Sequence, residues 1–193
     1  MEQNQIEIFQ GEVSEEYKQH TARTIQRELE EMQSNPCDDF KCLALESNPR
    51  YWQFAIRGPK GTEFAGGIYH GQVKIPEEYP KEPPVLSLLT ENGRFKTQTS
   101  IDYFSDFFYW HEDNRVRDAL LALITLLPRY PNDKSGSVEY DKEERRRLAT
   151  ESREAAPIFG TDELQKLMNE IHEYMLSKTR HPLFLQTGER ISG

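Results

Sequence analysis

Residues 100–110, SIDYFSDFFYW, place two aspartates, Asp102 and Asp106, among aromatic side chains. The carboxylates could serve general acid–base chemistry, and the following His111, Glu112 and Asp113 add nitrogen and oxygen donors that suit a metal ion. Their order matches no standard ligand spacing, and acidic loops are ordinarily solvated. The sequence therefore predicts neither a metal ion nor another cofactor in this segment.

Two other groups of residues suggest catalysis but lack the context that it requires. Ser100, His70 and Asp102 are the residue types of a hydrolytic triad, yet nothing in the sequence places His70 beside the other two. The glycine-rich run 58-GPKGTEFAGG-67 lacks the Lys-Ser/Thr ending and the strand-to-helix setting of a phosphate-binding loop. Neither group predicts an enzyme.

Composition and charge exclude several classes of protein. The 193 residues carry 33 acidic and 24 basic side chains, and this net charge of -9 opposes nonspecific binding to nucleic acid. No apolar run reaches the roughly 18 residues of a membrane span, and the N-terminus lacks the apolar region of a signal peptide. Cys37 and Cys42 are too few for a disulfide framework or a four-cysteine metal site. We expect an intracellular reducing compartment, with the chain either cytoplasmic or peripheral on an organellar complex.

The elements around the acidic loop are predicted from the spacing of apolar residues. A first amphipathic helix is expected at 21-TARTIQRELEEM-32, before Pro36. Four strands with short turns are expected next, at 40–46, around Trp52, Phe54 and Ile56, at 67–75 and at 85–90. Consecutive strands of this kind form an antiparallel meander.

Three helices are expected after the acidic loop. The first is buried and carries apolar residues at helical spacing: Val116, Leu120, Leu123, Ile124 and Leu127. The second, 139–155, is charged and exposed, and its 145-RRR-147 cluster is interpreted as a solvated, salt-paired face. The third is capped by Thr161 and carries an apolar stripe: Leu164, Leu167, Met168, Ile171 and Met175. The fold class is α+β, with an extension at 1–20, a core domain at 21–155 and a C-terminal extension at 156–193.

The run 56-IRGPKGTEFAGGIYHGQVKIPEEYPKEPPVLSLLT-90 resembles the ubiquitin-conjugating enzyme family. That family carries Gly-Pro after the second strand, then Thr before an aromatic residue and Gly-Gly, then Pro-x-x-Tyr-Pro-x-x-Pro-Pro. The resemblance extends over about 21–155 and implies the family's fold. Segments 90-TENGRF-95 and 136-GSVEYDKEERRRLATES-152 are similar to the tail-anchored branch of the endoplasmic reticulum, although no anchor is expected after residue 155.

The resemblance also locates the family's catalytic residues. In the family the catalytic cysteine follows an apolar residue in this loop and precedes a Trp by eight positions, and Ile101, Asp102 and Trp110 reproduce that frame. The resemblance therefore implies that Asp102 occupies the cysteine position and Asn92 that of the active-site asparagine. No cysteine follows Cys42 in the sequence.

Aspartate cannot replace the cysteine chemically. Ubiquitin transfer needs a nucleophile that accepts an acyl group from a thioester and releases it to an amine, which a thiolate does. A carboxylate is a weak acyl acceptor, and its product would be an anhydride prone to hydrolysis. The Asn92 amide could stabilise an oxyanion, but Asn-Gly is also a common turn pair, and without a nucleophile the turn interpretation is favoured.

Three functions are compatible with these residues. The favoured one is a catalytically inactive, conjugating-enzyme-like structural or adaptor subunit of a larger protein assembly. The alternative is a ubiquitin-binding variant that assists an active conjugating enzyme, and Asp102 argues against the third, an active enzyme of unusual chemistry. The aromatic residues of the loop could pack beneath it or contact a partner, and the C-terminal stripe could cover its own domain or a neighbour. The candidate interaction residues are Phe107, Phe108, Tyr109, Leu164, Met168, Ile171 and Met175.

Overall fold

The computed structural model describes residues 13–104, 108–130, 134 and 136–179. Nine elements follow one another in the described part of the chain. They are α1 (Glu15–Ser34), β1 (Phe40–Ala44), β2 (Tyr51–Arg57), β3 (Ile68–Lys74), β4 (Val85–Leu88), α2 (Val116–Leu126), a 3-10 turn (Leu127–Arg129), α3 (Lys142–Ser152) and α4 (Asp162–Thr179). The strands form one antiparallel sheet in the order β1-β2-β3-β4, so the predicted α+β meander is confirmed.

The first helix begins earlier than its apolar pattern predicts. The Ser14 hydroxyl accepts a hydrogen bond from the Tyr17 amide at 3.2 Å, and two glutamates occupy the first turn, where the helix dipole favours them. The expected boundary after residue 20 is therefore displaced, because residues 15–20 are helical. The added turn lets the Tyr17 hydroxyl donate to the Glu78 carbonyl at 2.9 Å, which joins α1 to the proline-rich segment.

Both faces of the sheet are covered. On the inner face, Phe54 and Ile56 belong to the main apolar core together with Leu120 and Leu123 of α2. On the outer face, α4 packs against β1 and β2. The predicted alternation of buried and polar positions in β2 is therefore wrong at Gln53, which is fully buried.

One face of α3 is buried, so the prediction of an exposed helix is wrong for that face. Arg145, Leu148, Ala149 and Ser152 are buried, which is the spacing of one helical stripe. The Ser152 hydroxyl accepts a hydrogen bond from the Ile68 amide at 2.9 Å and so joins this stripe to the start of β3. None of the helices in the described segments has the length and apolar character that crossing a membrane requires.

Candidate functional site

The loop after β4 is held on both sides of Asp102. The Ile101 amide donates to the Leu86 carbonyl at 2.8 Å, and the Ile101 side chain is buried. The buried Tyr103 donates its hydroxyl hydrogen to the Pro84 carbonyl at 2.6 Å. Both anchors fix the loop to the edge of the sheet and leave the side chain between them directed outward.

Asp102 is exposed, with 57% of its side chain accessible. One carboxylate oxygen accepts a hydrogen bond from the Phe104 amide at 3.2 Å, and the other lies 3.3 Å from the Lys134 ammonium. Lys134 also donates to the Phe104 carbonyl at 2.8 Å. The residue at the predicted cysteine position is thus a solvated carboxylate in a surface salt bridge.

Asn92 is fully buried, and both ends of its amide are occupied by backbone groups. Its Oδ1 accepts the amides of Arg94 at 2.8 Å and Phe95 at 2.7 Å, while its Nδ2 donates to the carbonyls of Thr90 at 2.9 Å and Phe95 at 3.2 Å. Gly93, with φ of 76°, adopts the left-handed conformation that such a turn requires. This geometry agrees with the turn interpretation, because the side-chain amide hydrogens already have acceptors.

A buried ion pair supports this turn from α3. Arg145 donates through Nε to the Gly93 carbonyl at 3.0 Å and through NH1 to Glu63 at 2.9 Å, and the two side chains are 10% and 13% exposed. Burial alone would raise the pKa of Glu63, but hydrogen bonds from its own backbone and from Arg145 hold that pKa below its ordinary value. The prediction of a solvated arginine cluster is therefore wrong for Arg145.

The prediction of a solvated, salt-paired face is correct for Arg147, which pairs with Glu144 and Glu151 on the exposed face of α3. A signal for the difference exists in the sequence. Arg145 falls in register with the apolar Leu148 and Ala149, which lie three and four residues, or about one turn, further along the helix, whereas Arg147 does not.

The aromatic residues of the loop divide into two groups. Phe108 packs against the main core, and Trp110 does the same while donating its indole hydrogen to the Pro80 carbonyl at 2.7 Å. Tyr109 is 72% exposed, so a partner could reach its side chain directly. Phe107 and Asp106 lie outside the described residues.

The remaining candidates are not brought together with Asp102. His70 forms its side-chain contact with His172 of α4, and no group of metal ligands occurs within the described segments. Cys42 is buried in β1, where burial raises the pKa of its thiol, and Cys37 lies in the connection before that strand. Neither thiol belongs to the loop that carries Asp102.

The C-terminal stripe covers the chain's own sheet. Met168, Ile171 and Met175 are fully buried, and Ile171 and Met175 form a cluster with Ala55 and Ile68 on the outer face. Thr161 accepts a hydrogen bond from the Leu164 amide at 3.3 Å, as the predicted cap requires. The sheet covers Ile171 and Met175, and Met168 is buried as well, so none of the three side chains is accessible to a partner in this conformation. Their role as an interaction surface stays a prediction.

Leu164 differs from them in being only partly buried, beside Gly160. It lies in the first turn of α4, away from the apolar cluster with Ala55 and Ile68. It therefore stays a candidate contact residue, and the three buried residues act in the packing of α4.

Comparison with known proteins now identifies the fold and its family. A sequence model described as ubiquitin-conjugating enzyme matches residues 24–155. The chain belongs to the ubiquitin-conjugating enzyme family. Its match includes the turn at Asn92, the loop at Asp102 and the whole of α3, so the predicted resemblance is confirmed.

Relatives within the family span both plants and animals. "Ubiquitin-conjugating enzyme E2 32" of Arabidopsis thaliana is 51% identical over 166 residues, which cover 83% of this chain and 53% of that protein. "Ubiquitin-conjugating enzyme E2 J1" of Homo sapiens is 36% identical over 140 residues, which cover 71% of this chain and 44% of that protein. The chain thus spans about half the length of these relatives.

Among solved structures, that of human ubiquitin-conjugating enzyme E2 G1 is similar with a TM-score of 0.49 and 21% sequence identity. The similarity covers 55% of this chain and 93% of that chain.

Proposed function

We propose that this member of the ubiquitin-conjugating enzyme family forms no thioester with ubiquitin and acts as a structural or adaptor subunit of a larger protein assembly. The observation that carries the proposal is Asp102, which stands between Ile101 and Trp110 in the frame of the family's cysteine. Its carboxylate is solvated and bound to Lys134, an arrangement suited to a surface salt bridge.

The chemistry of transfer supports this role. A thiolate attacks a thioester and leaves again when an amine attacks, because sulfur is both a good nucleophile and a good leaving group. A carboxylate attacking the same thioester would expel a better nucleophile than itself and form an anhydride that water cleaves. Cys42 is no substitute, since its thiol is buried and its pKa is raised by that burial.

The other residues around the loop support the proposal that the chain keeps the family's fold and uses it to contact other proteins. Asn92 and Arg145 maintain the turn beneath the loop through backbone contacts that need no substrate. The surface offers exposed apolar groups for contact with other proteins, among them Tyr109 at 72% and Ile158 at 96% exposure. Tyrosine is among the residues that are enriched where one protein docks on another.

A charging assay tests the loss of catalysis. The wild-type chain is incubated with ubiquitin-activating enzyme, ATP and ubiquitin, beside the variants Asp102→Ala and Asp102→Cys. We expect no adduct on the first two. We expect an adduct cleaved by thiol reductant on Asp102→Cys, because Lys134 beside the new thiol favours its thiolate.

Size measurement of the native protein tests the adaptor role. A chain that belongs to an assembly elutes from a gentle extract of its source well above its own 22.6 kDa, at the position of co-eluting subunits. Elution alone at 22.6 kDa would contradict a structural subunit.

The alternative function is that of a ubiquitin-binding variant that assists an active conjugating enzyme. Titration of isotope-labelled ubiquitin with this chain distinguishes it from the adaptor role. Resonance shifts that saturate at millimolar concentration or below would support the alternative, and their absence would remove it.

A further inference from the structure

The outer face of the sheet is closed by α4, and a pair of histidines lies within that contact. His70 of β3 stands opposite Ala55 of β2 in the strand register, so its side chain shares the outer face. His172 lies on α4 next to the buried Ile171. The two imidazoles are 0% and 5% exposed, so no solvent reaches either ring freely.

The rings meet edge to edge through their nitrogens. His70 Nε2 lies 2.8 Å from His172 Nδ1, the ring planes are 19° apart and the centroids are 5.1 Å apart. That centroid distance equals the hydrogen-bond length plus about one ring width, so the rings are joined in line by a hydrogen bond and do not overlap face to face. On its other side, His172 Nε2 lies 3.1 Å from the carbonyl of Arg153.

These contacts fix the tautomers of both neutral rings. A carbonyl only accepts, so His172 Nε2 must carry the hydrogen that bonds to Arg153. His172 Nδ1 is then the acceptor, and His70 Nε2 must donate to it. His70 Nδ1 therefore carries only a lone pair, and among the described residues this buried atom has no hydrogen-bond partner.

An added proton has no favourable place in this chain of contacts. If His70 takes it, a new N–H is buried at Nδ1 with no acceptor. If His172 takes it, both His172 nitrogens become donors, and His70 must move its own hydrogen to Nδ1 to accept. Either path ends with an unpaired N–H at the same buried atom. In agreement, burial and the neighbouring His172 lower the pKa of His70 from 6.5 to about 3.

Within the segments that the structure describes, the charged side chains around the pair offer no acceptor for this proton. The elements that pack there carry cations on the side of the sheet and at the end of α3: Lys41 of β1, Arg57 of β2 and Arg153. The acidic residues of α4 are directed elsewhere, because Glu163 binds Ser47 while the others are exposed: Asp162, Glu170 and Glu173.

A second polar group weakens the closure of α4. Gln53, on the same face of β2, has both amide atoms buried, and neither has a partner in the part of the chain that the structure describes. Burial of unsatisfied polar atoms opposes closure. The opposing contributions are the apolar contacts of α4 and two end anchors, one from Arg57 to the Met175 carbonyl at 2.8 Å and one from the Ser47 hydroxyl to Glu163 at 2.6 Å.

We propose that the His70–His172 pair is an acid-sensitive latch, which holds α4 over the outer face of the sheet when both rings are neutral and releases it when the pair takes up a proton. Release exposes the apolar patch under the helix, which includes Leu43, Ala55 and Ile68. The effect has a defined sign. A group whose pKa is lowered in the closed state favours closure fully above its ordinary pKa of 6.5, and this contribution is lost as pH falls from 6.5 towards 3.

Backbone amide exchange across α4, corrected for the intrinsic effect of pH, tests the latch. Between pH 7.5 and pH 5 the protection of residues 168–176 is expected to fall about 30-fold, since pH 5 lies 1.5 below the ordinary value of 6.5. Protection in the central strand β2 is expected to stay constant. Unchanged protection of α4, or an equal loss in β2, would overturn the proposal.

Two variants and one spectrum sharpen the test. His70→Gln keeps an N–H donor for His172 but takes up no proton, so its α4 protection should not depend on pH. His20→Gln, at an exposed histidine of α1, should keep the full wild-type dependence. If His70→Gln also kept this pH dependence, the proposed latch would be wrong.

Nitrogen-15 spectra of the wild-type imidazoles at pH 7.5 test the latch without any variant. The proposal requires His70 to carry its hydrogen on Nε2, and an Nδ1–H form would contradict it.

Discussion

Two parts of the candidate site differ sharply in how they are held. The turn at Asn92 is buried and joined to the backbone by four side-chain hydrogen bonds, with the Arg145–Glu63 pair beside it. Asp102, in the loop after β4, is exposed, and within the described residues its carboxylate contacts the Lys134 ammonium and the Phe104 amide. The turn is therefore part of the packed structure, whereas the position that we propose to correspond to the family's cysteine makes few structural contacts.

Removal of Arg145 should produce the largest loss of stability. Arg145→Met leaves Glu63 and the Gly93 carbonyl without their partner, and breaking a mostly buried pair should cost about 3 kcal/mol in the free energy of unfolding. Urea denaturation measures the loss. The matched control is Arg147→Met on the exposed face of the same helix, which should lose far less. Equal losses in both variants would contradict the distinction between the two faces of α3.

Truncation of Asn92 should come next. Asn92→Ala leaves the amides of Arg94 and Phe95 buried without acceptors, which should cost about 2 kcal/mol in the free energy of unfolding. Asn48→Ala is the control, because Asn48 accepts an amide hydrogen from Arg50 in an exposed turn. A small effect at Asn92 would mean that the turn does not depend on its side chain.

The stability difference between wild type and Arg145→Met should depend on pH. Arg145 helps to hold the pKa of Glu63 below its ordinary value of 4.5, so the charged carboxylate favours the folded state above that pH. The contribution is lost as pH falls below 4.5, so the difference between the two proteins should become smaller in acid, while the part that comes from the Arg145 bond to the Gly93 carbonyl remains. Denaturation at pH 7 and pH 3.5 measures this, and a constant difference would show that Glu63 is not the partner that matters.

Asp102→Ala should produce the smallest change. Exposed salt bridges contribute little, and the free energy of unfolding should shift by about 0.5 kcal/mol or less. A loss comparable with that of Asn92→Ala would contradict the contrast between the buried turn and the exposed loop, because it would mean that the Asp102–Lys134 contact stabilises the fold.

Local patterns sufficed for much of the fold. The strand residues Trp52, Phe54 and Ile56 and the helical spacing of Leu120 and Leu123 reflect contacts within one face of one element, which periodicity records. The position of Asp102 in the family frame also depended on short-range spacing. The buried position of Arg145 is not predicted, because a run of arginines ordinarily indicates a charged, solvated face. The register of Arg145 with Leu148 nevertheless indicates that it lies on the buried face.

The outer face of the sheet could not be predicted in the same way. An apolar stripe on α4 indicates that this face of the helix must be covered, but it does not indicate which surface covers it. The burial of Gln53 and the meeting of His70 with His172 depend on that long-range contact, and polar residues in a strand ordinarily indicate a solvated face. These features could be predicted only with knowledge of how α4 packs on β1 and β2.

The intact mass of the wild-type chain after incubation with ubiquitin-activating enzyme, ATP and ubiquitin tests the central claim most directly. The account predicts that the chain keeps its mass of 22.6 kDa, while Asp102→Cys in the same reaction gains one ubiquitin. A ubiquitin adduct on wild-type Asp102 that hydroxylamine removes would contradict the account.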